Sequence, residues 1–348
     1  MRRDTLLIVA SAAVTAAGAA LLAWHVSGLP DTHPDFAMMW AAMQLPDPYD
    51  QAALKAQLGW VPTYPVAFIY PPTALPIFAL FAFLPMRAAL ASWAALSGAA
   101  MAVASRSVWA PLLLLAPPVL WALPGGQMSL LMGAMLLGSL LLVRRPLLAG
   151  GLVGIALALK PQLAIVVPLL FLLDRRWAAL GAAASAFASA AIISALLFGP
   201  RTWIDWFTLL PGFLDMHESR TALGSNEIAP GLPIWLRAFA LVAGAWFAAR
   251  SLERGNPVEA FVIASGAALI GSAHAMGYEF ALIAPACPAL IARRGWSAGA
   301  VVIFLLAPAF IWAGLPAFPL RFLAVLILVA AAVVDGLALR GLRFRSGR

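Results

Sequence analysis

The chain has 348 residues, 64% of them hydrophobic and 10% charged, with a mean hydropathy of +0.95. These values exclude an ordinary soluble domain and point to a polytopic membrane protein. The net charge of +8 does not describe a nucleic-acid surface, because the arginines stand between apolar runs as Arg144-Arg145, Arg175-Arg176 and Arg293-Arg294, with Arg250 near Arg254; the positive-inside bias places them there.

Residues 1–25 open with MRRD and turn apolar, which we read as an uncleaved first helix. Further apolar runs lie near 68–85, 88–105, 109–123, 127–143, 147–159, 161–173, 177–198, 232–250, 257–273, 279–292, 296–313 and 318–339. Both termini are basic, so both are expected in the cytoplasm with an even number of crossings. About twelve crossings are therefore expected from thirteen runs, and one run does not cross alone. Two suspects are the run 147–173, split by Lys160-Pro161 into a kinked helix or a re-entrant hairpin, and the short run 109–123 with Pro117-Pro118. The expected fold is all-α, a single membrane domain over 1–348, with external loops at 26–67 and 199–231.

Within the first loop Phe36, Met39, Trp40 and Met43 follow i, i+3, i+4, i+7 spacing. This predicts a short helix lying flat in the interface, its apolar face toward acyl chains and Trp40 at headgroup depth. Residues 202–214 read as a second interfacial segment anchored by Trp203 and Trp206.

Few residues in such a chain carry chemistry. Asp35 follows Pro34 at the start of the predicted loop helix, where it serves as an N-cap; a carboxylate partly desolvated there also suits a general base. Only two lysines occur, Lys55 and Lys160, and Lys160 lies within the apolar core. A cation at that depth is functional, paired or snorkelling. In SAHAMGYEF, His274 and Tyr278 share a face if the turn is helical, and Glu279 caps the helix that follows or complements its dipole. GGQ at 125–127 permits a tight turn that presents Gln127, and YPP at 70–72 opens a helix after Tyr70. Cys287 is the sole cysteine, which leaves no intrachain disulfide and no cysteine-based metal site. HExxH, GxxxxGK[ST] and GxSxG are absent, so zincin, ATPase and α/β-hydrolase readings have no support.

Taken in order, DFAMMWAA with the later PYD, then YPPTALPIFALFAFLP, GGQMSLLMGAMLLGSLLLVRRPLLAGGLVGIALALKPQ and HAMGYEFALIAPA resemble glycosyltransferase family 87, whose members are polytopic GT-C enzymes. The resemblance covers roughly residues 30–290. It implies a GT-C-like helical bundle in a bacterial plasma membrane with its active site external. The donor is then a polyprenyl-phosphate sugar, mannose or another hexose, and the acceptor a lipid or glycan. Asp35 takes the position of the family's base in a single inverting displacement. Lys160 and His274 are the candidates for the donor phosphate, and Tyr49, Tyr70, Gln127, Asn226, Tyr278 and Glu279 for the lining of the substrate site. Neither a metal nor another cofactor is expected, since a lipid-phosphate leaving group needs less metal help than a nucleotide diphosphate. The competing reading is a transporter or flippase for a lipid-linked substrate, although neither paired repeats nor matching broken helices are visible.

Overall fold

The computed structural model describes residues 3–29, 34–58, 68–218, 227–307 and 317–338; within them the chain is predominantly helical and has no strand, only an isolated bridge between Glu227 and Met276. In chain order the helices are α1 (Arg3–Val26), α2 (Asp35–Ala42), α3 (Gln51–Leu58), α4 (Leu75–Ala82), α5 (Met86–Ser105), α6 (Pro117–Ala122), α7 (Ser129–Leu141), α8 (Pro146–Leu159), α9 (Pro161–Ala164) and α10 (Val166–Leu173). There follow α11 (Trp177–Phe198), α12 (Arg201–Glu218), α13 (Ile234–Glu253), α14 (Pro257–Gly271), α15 (Cys287–Arg293), α16 (Trp296–Leu306) and α17 (Ala317–Ala338). Among the described residues, four stretches are long and apolar enough to cross a membrane: Asp4–Val26, Met86–Ser105, Trp177–Phe198 and Leu320–Leu337.

Small residues set the packing, as they do where helices associate without a hydrophobic driving force between them. On α5, Gly98 lies so near α1 that a Cβ there would stand 2.9 Å from the Ala19 side chain and 3.0 Å from the Thr15 carbonyl. On α8, a Cβ at Gly150 or Gly154 would overlap the backbone of α11 at Ala179 and Ala183. Helix α14 is buried all round from Val258 to Gly271, as a central helix of uniform hydrophobicity should be.

Three features of chain tracing bear on the site. First, the run 68–85 returns to the loop it leaves. The Tyr70 carbonyl accepts from Tyr49 Oη at 2.7 Å, while the Leu84 and Ala82 carbonyls accept from Trp40 Nε1 at 2.9 Å and Gln44 Nε2 at 2.8 Å. Second, the run 147–173 is a hairpin with Lys160 at its apex, because Gly150 at its start and Ala179 just beyond its end lie against each other. Third, 109–123 runs from the far end of α5 back to α2, where the Gly125 carbonyl accepts from Phe36 N at 3.0 Å. It does so as a 3₁₀ stretch, Ala110–Leu115, followed by the proline-led α6.

Helix α2 lies against protein. Phe36 and Met39 are buried, the Phe36 ring lies 6.1 Å from that of Trp93, and the Trp40 indole is fixed on the Leu84 carbonyl. The apolar face expected to meet acyl chains is therefore turned onto α5 and the 125–127 turn, since burying large side chains in a packed core gains both area and dispersion contacts. Trp206 on α12 likewise donates to the Ile69 carbonyl at 2.9 Å, while Ile204 and Phe207 remain exposed.

Candidate functional site

Asp35 is the first residue of α2, and its carboxylate does not cap the helix: Pro34 occupies the capping position and there is no side-chain cap bond. The carboxylate instead accepts a hydrogen bond from Gln127 Nε2. The GGQ turn makes this contact possible. Gly126 has φ +67°, in the left-handed region that glycine adopts without a steric cost, and a Cβ there would overlap the Phe36 Cβ. Desolvation holds the Asp35 carboxyl above the usual carboxylate range, while the Gln127 bond and the Lys160 charge oppose that rise.

Lys160 joins α8 to α9 in an extended conformation, φ −153°, and is 6% exposed, so it does not snorkel. Its ammonium is ion-paired with Glu279 and lies 5.8 Å from the ring centroids of both Tyr70 and Tyr278. Glu279 is 1% exposed and belongs to a 3₁₀ stretch, Gly277–Leu282, capped by Met276; it is the partner of Lys160 and not a helix cap. Asp35 feels both charges of this pair, so two carboxylates and one ammonium share one low-dielectric region.

The predicted lining residues divide. Tyr70 and Tyr278 flank Lys160. Tyr49 is a strut, buried against the Phe68 ring at 5.5 Å with its hydroxyl on the Tyr70 carbonyl, and burial raises its phenol pKa so that it stays a donor. His274 and Tyr278 share no helical face, because the chain around His274 is drawn out of helix by the Glu227 to Met276 bridge and by the Ile228 N to Ala275 O bond of 2.7 Å. The imidazole Nδ1 lies 3.5 Å from Glu227 Oε1, and the ring meets Phe213 edge to face at 5.2 Å. Asn226 lies outside the described residues.

Five contributors were not anticipated. Glu227 supports His274. Arg237, at the start of α13, clamps the loop to the turn, donating to the carbonyls of Ala229 at 2.7 Å, Leu232 at 2.9 Å, and Ser272. Arg321, near the start of α17, has no exposed surface; its guanidinium lies 5.8 Å from the Trp121 ring centroid, and Trp121 in turn meets Tyr278 at 5.9 Å edge to face. Gly277 lets this stack close, since a Cβ there would stand 3.0 Å from the Trp121 ring and 3.1 Å from the Arg321 guanidinium. The available signal was a lone arginine inside an apolar run, at 237 and again at 321, where pairs mark loops.

The family model of glycosyltransferase family 87 matches residues 68–276, more than half of the chain. The chain belongs to glycosyltransferase family 87. It is therefore a membrane glycosyltransferase of a GT-C-like family, which decides against the transporter reading. No curated protein and no solved structure matches it. Tyr70, Gln127, Lys160 and His274 fall inside the family-87 match, whereas Asp35 precedes it and Tyr278, Glu279 and Arg321 follow it. The hydrogen bond from Gln127 ties Asp35 to the matched core, and the ion pair from Lys160 ties Glu279 to it.

Proposed function

We propose that this protein transfers a hexose, mannose in the first instance, from a polyprenyl-phosphate donor to a lipid or glycan acceptor by a single inverting displacement. The observation that carries the proposal is the Asp35 carboxylate, fixed by Gln127 and kept at raised proton affinity by desolvation. A carboxylate so placed suits a general base. It takes the proton of the acceptor hydroxyl while that oxygen attacks the anomeric carbon and the bond from that carbon to the phosphate oxygen breaks. The departing lipid phosphate gains charge, and Lys160 and His274 are the groups proposed to stabilise it.

The site faces outward in this reading and both basic termini face the cytoplasm of a bacterial cell. The return of 68–85 to its own loop supports that topology, because it leaves twelve of the thirteen apolar runs to cross. We propose a single membrane domain on the same reading.

The test is transfer by the purified protein from mannose, glucose and arabinose polyprenyl-phosphate donors in turn, with Asp35→Asn beside the wild type. We expect Asp35→Asn to lose turnover by a factor of about 10² or more while donor binding and thermal stability are retained. Wild-type transfer by Asp35→Asn would remove the base assignment.

A further inference from the structure

Gln127 and Glu279 each use one terminal atom inside the protein and leave the other without a partner. Gln127 Nε2 donates to Asp35, and Glu279 Oε1 accepts from Lys160. Gln127 Oε1 and Glu279 Oε2 are buried and have no hydrogen-bond partner among the described residues. The orientation of the Gln127 amide follows from chemistry, because an ionised carboxylate only accepts and must face the amide nitrogen. Backbone donors close by are spent: Gln127 N on the Ala122 carbonyl and Glu279 N on that of Met276, both at 2.9 Å. The residues themselves are only 3% and 1% exposed. Buried acceptors in native proteins are nearly always satisfied, so each exception asks for an explanation. A third acceptor of this kind, Glu259 Oε2, belongs to the ion pair with Arg293 and lies outside the cluster.

We propose that Gln127 Oε1 and Glu279 Oε2 receive hydroxyl groups of the transferred sugar, and so determine which sugar is accepted. The proposal rests on the reading of Asp35 as the base for sugar transfer. A hydroxyl is the donor that fits: it is neutral, so it does not disturb the balance of Asp35, Lys160 and Glu279, and a hexose supplies several on one rigid ring. One acceptor lies beside the base and the other beside the Lys160 ammonium, which brackets a ring held between the acceptor hydroxyl and the donor phosphate. Sites built to hydrogen-bond a hydroxyl reject analogues that lack it far more strongly than apolar pockets reject a missing methylene.

The experiment uses polyprenyl-phosphate donors carrying the sugar that the wild type transfers, then the same donors lacking one hydroxyl at a time, then those with fluorine in its place. Affinity for the purified full-length protein is read alongside kcat/KM. Fluorine accepts weakly but cannot donate. We expect one or two positions at which deoxy and fluoro donors are equally poor, by a factor of about 10² or more in kcat/KM. In Gln127→Met or Glu279→Gln the ratio of parent to deoxy donor should collapse toward one at one of those positions, whatever happens to the absolute rate. Fluoro donors bound as tightly as the parent at every position, or unchanged parent-to-deoxy ratios in both variants, would overturn the assignment. The fluoro arm needs no variant and stands if neither variant folds. Absence of transfer from every donor by the wild type would instead overturn the underlying reading, and this one with it.

Discussion

At the scale of single residues, the site turns on how two carboxylates are treated differently. Asp35 meets a neutral amide, whereas Glu279 meets a full ammonium. Because desolvation raises the Asp35 pKa above its ordinary 3.8 and the Gln127 bond opposes the rise, the proposed base is ionised only above an elevated pKa. The kcat/KM profile should therefore rise through an acidic limb that sits above the ordinary carboxylate range, and Gln127→Leu should move that limb further toward alkaline pH. A limb that stays in place in Gln127→Leu would detach Gln127 from the base. The Lys160 to Glu279 pair makes a separate prediction. Lys160→Met leaves a buried carboxylate uncompensated and should lower stability by about 3–5 kcal/mol, seen as a drop in Tm, together with weaker donor binding. Lys160→Met with Glu279→Leu removes both charges and should recover most of the Tm without recovering donor affinity; recovery of both would return the lysine to a purely structural role. Asp35 and Lys160 were legible in the sequence as lone charges in apolar surroundings. Gln127 and Glu279 were legible as candidate lining residues, but their pairing with Asp35 and Lys160 was not, because they stand 92 and 119 residues away from them and nothing in local spacing reports a contact made by tertiary packing.

At the scale of elements, the turn at 125–127 does more than reverse the chain. Its Gly125 carbonyl receives the Phe36 amide, its Gly126 opens room for the Phe36 side chain, and its Gln127 reaches Asp35. Gly126→Ala should cost about 1–2 kcal/mol for a left-handed alanine, with a further cost from overlap with Phe36. It should lower Tm and kcat/KM together, with the same acidic limb as the wild type if α2 keeps its carboxylate bonded. An unaltered Tm and rate would show that the turn is not what seats α2. The glycines and the i, i+3, i+4, i+7 stripe were both readable before the fold was known, and the helix at Asp35–Ala42 formed where the stripe put it. What periodicity does not carry is the identity of the surface that covers an apolar face. For α2 that surface was α5 and the GGQ turn, not lipid, because Gly126 brings the protein close enough to exclude acyl chains. His274 shows the same limit from the other side: a spacing of four predicts a shared face only where the backbone is helical, and the bridge to Glu227 prevents that.

At the scale of the whole molecule, the helices connect two chemically unlike ends. Asp35, Gln127, Lys160, Glu279 and the Tyr70 and Tyr278 rings gather at one end. At the other, Arg144, Arg145 and Arg176 line a cavity of about 480 Å³ together with Glu253 and Pro257, so α7, α8, α10, α13 and α14 lie between the site and the basic end, with α8 and α14 running toward the site. Several of these helices are short: at a rise of 1.5 Å per residue, 13 to 15 residues give about 20 Å, less than a hydrocarbon core of about 30 Å. That shortness is why apolar runs alone overstate what one helix can span, and why the hairpin apex at Lys160 lies beside the site rather than beyond it. The tracing of 68–85 makes the sharpest topological prediction, since this run has the composition of a crossing yet ends on the loop that precedes it. In a Cys287→Ala background, single cysteines placed as Gln44→Cys and Phe83→Cys should react with a membrane-impermeant maleimide from the same side of sealed vesicles. Arg144→Cys should react only from the opposite side. Labelling of Phe83→Cys from the side of Arg144→Cys would make 68–85 a crossing. The even count proposed to place both basic termini together would then have to come from another run.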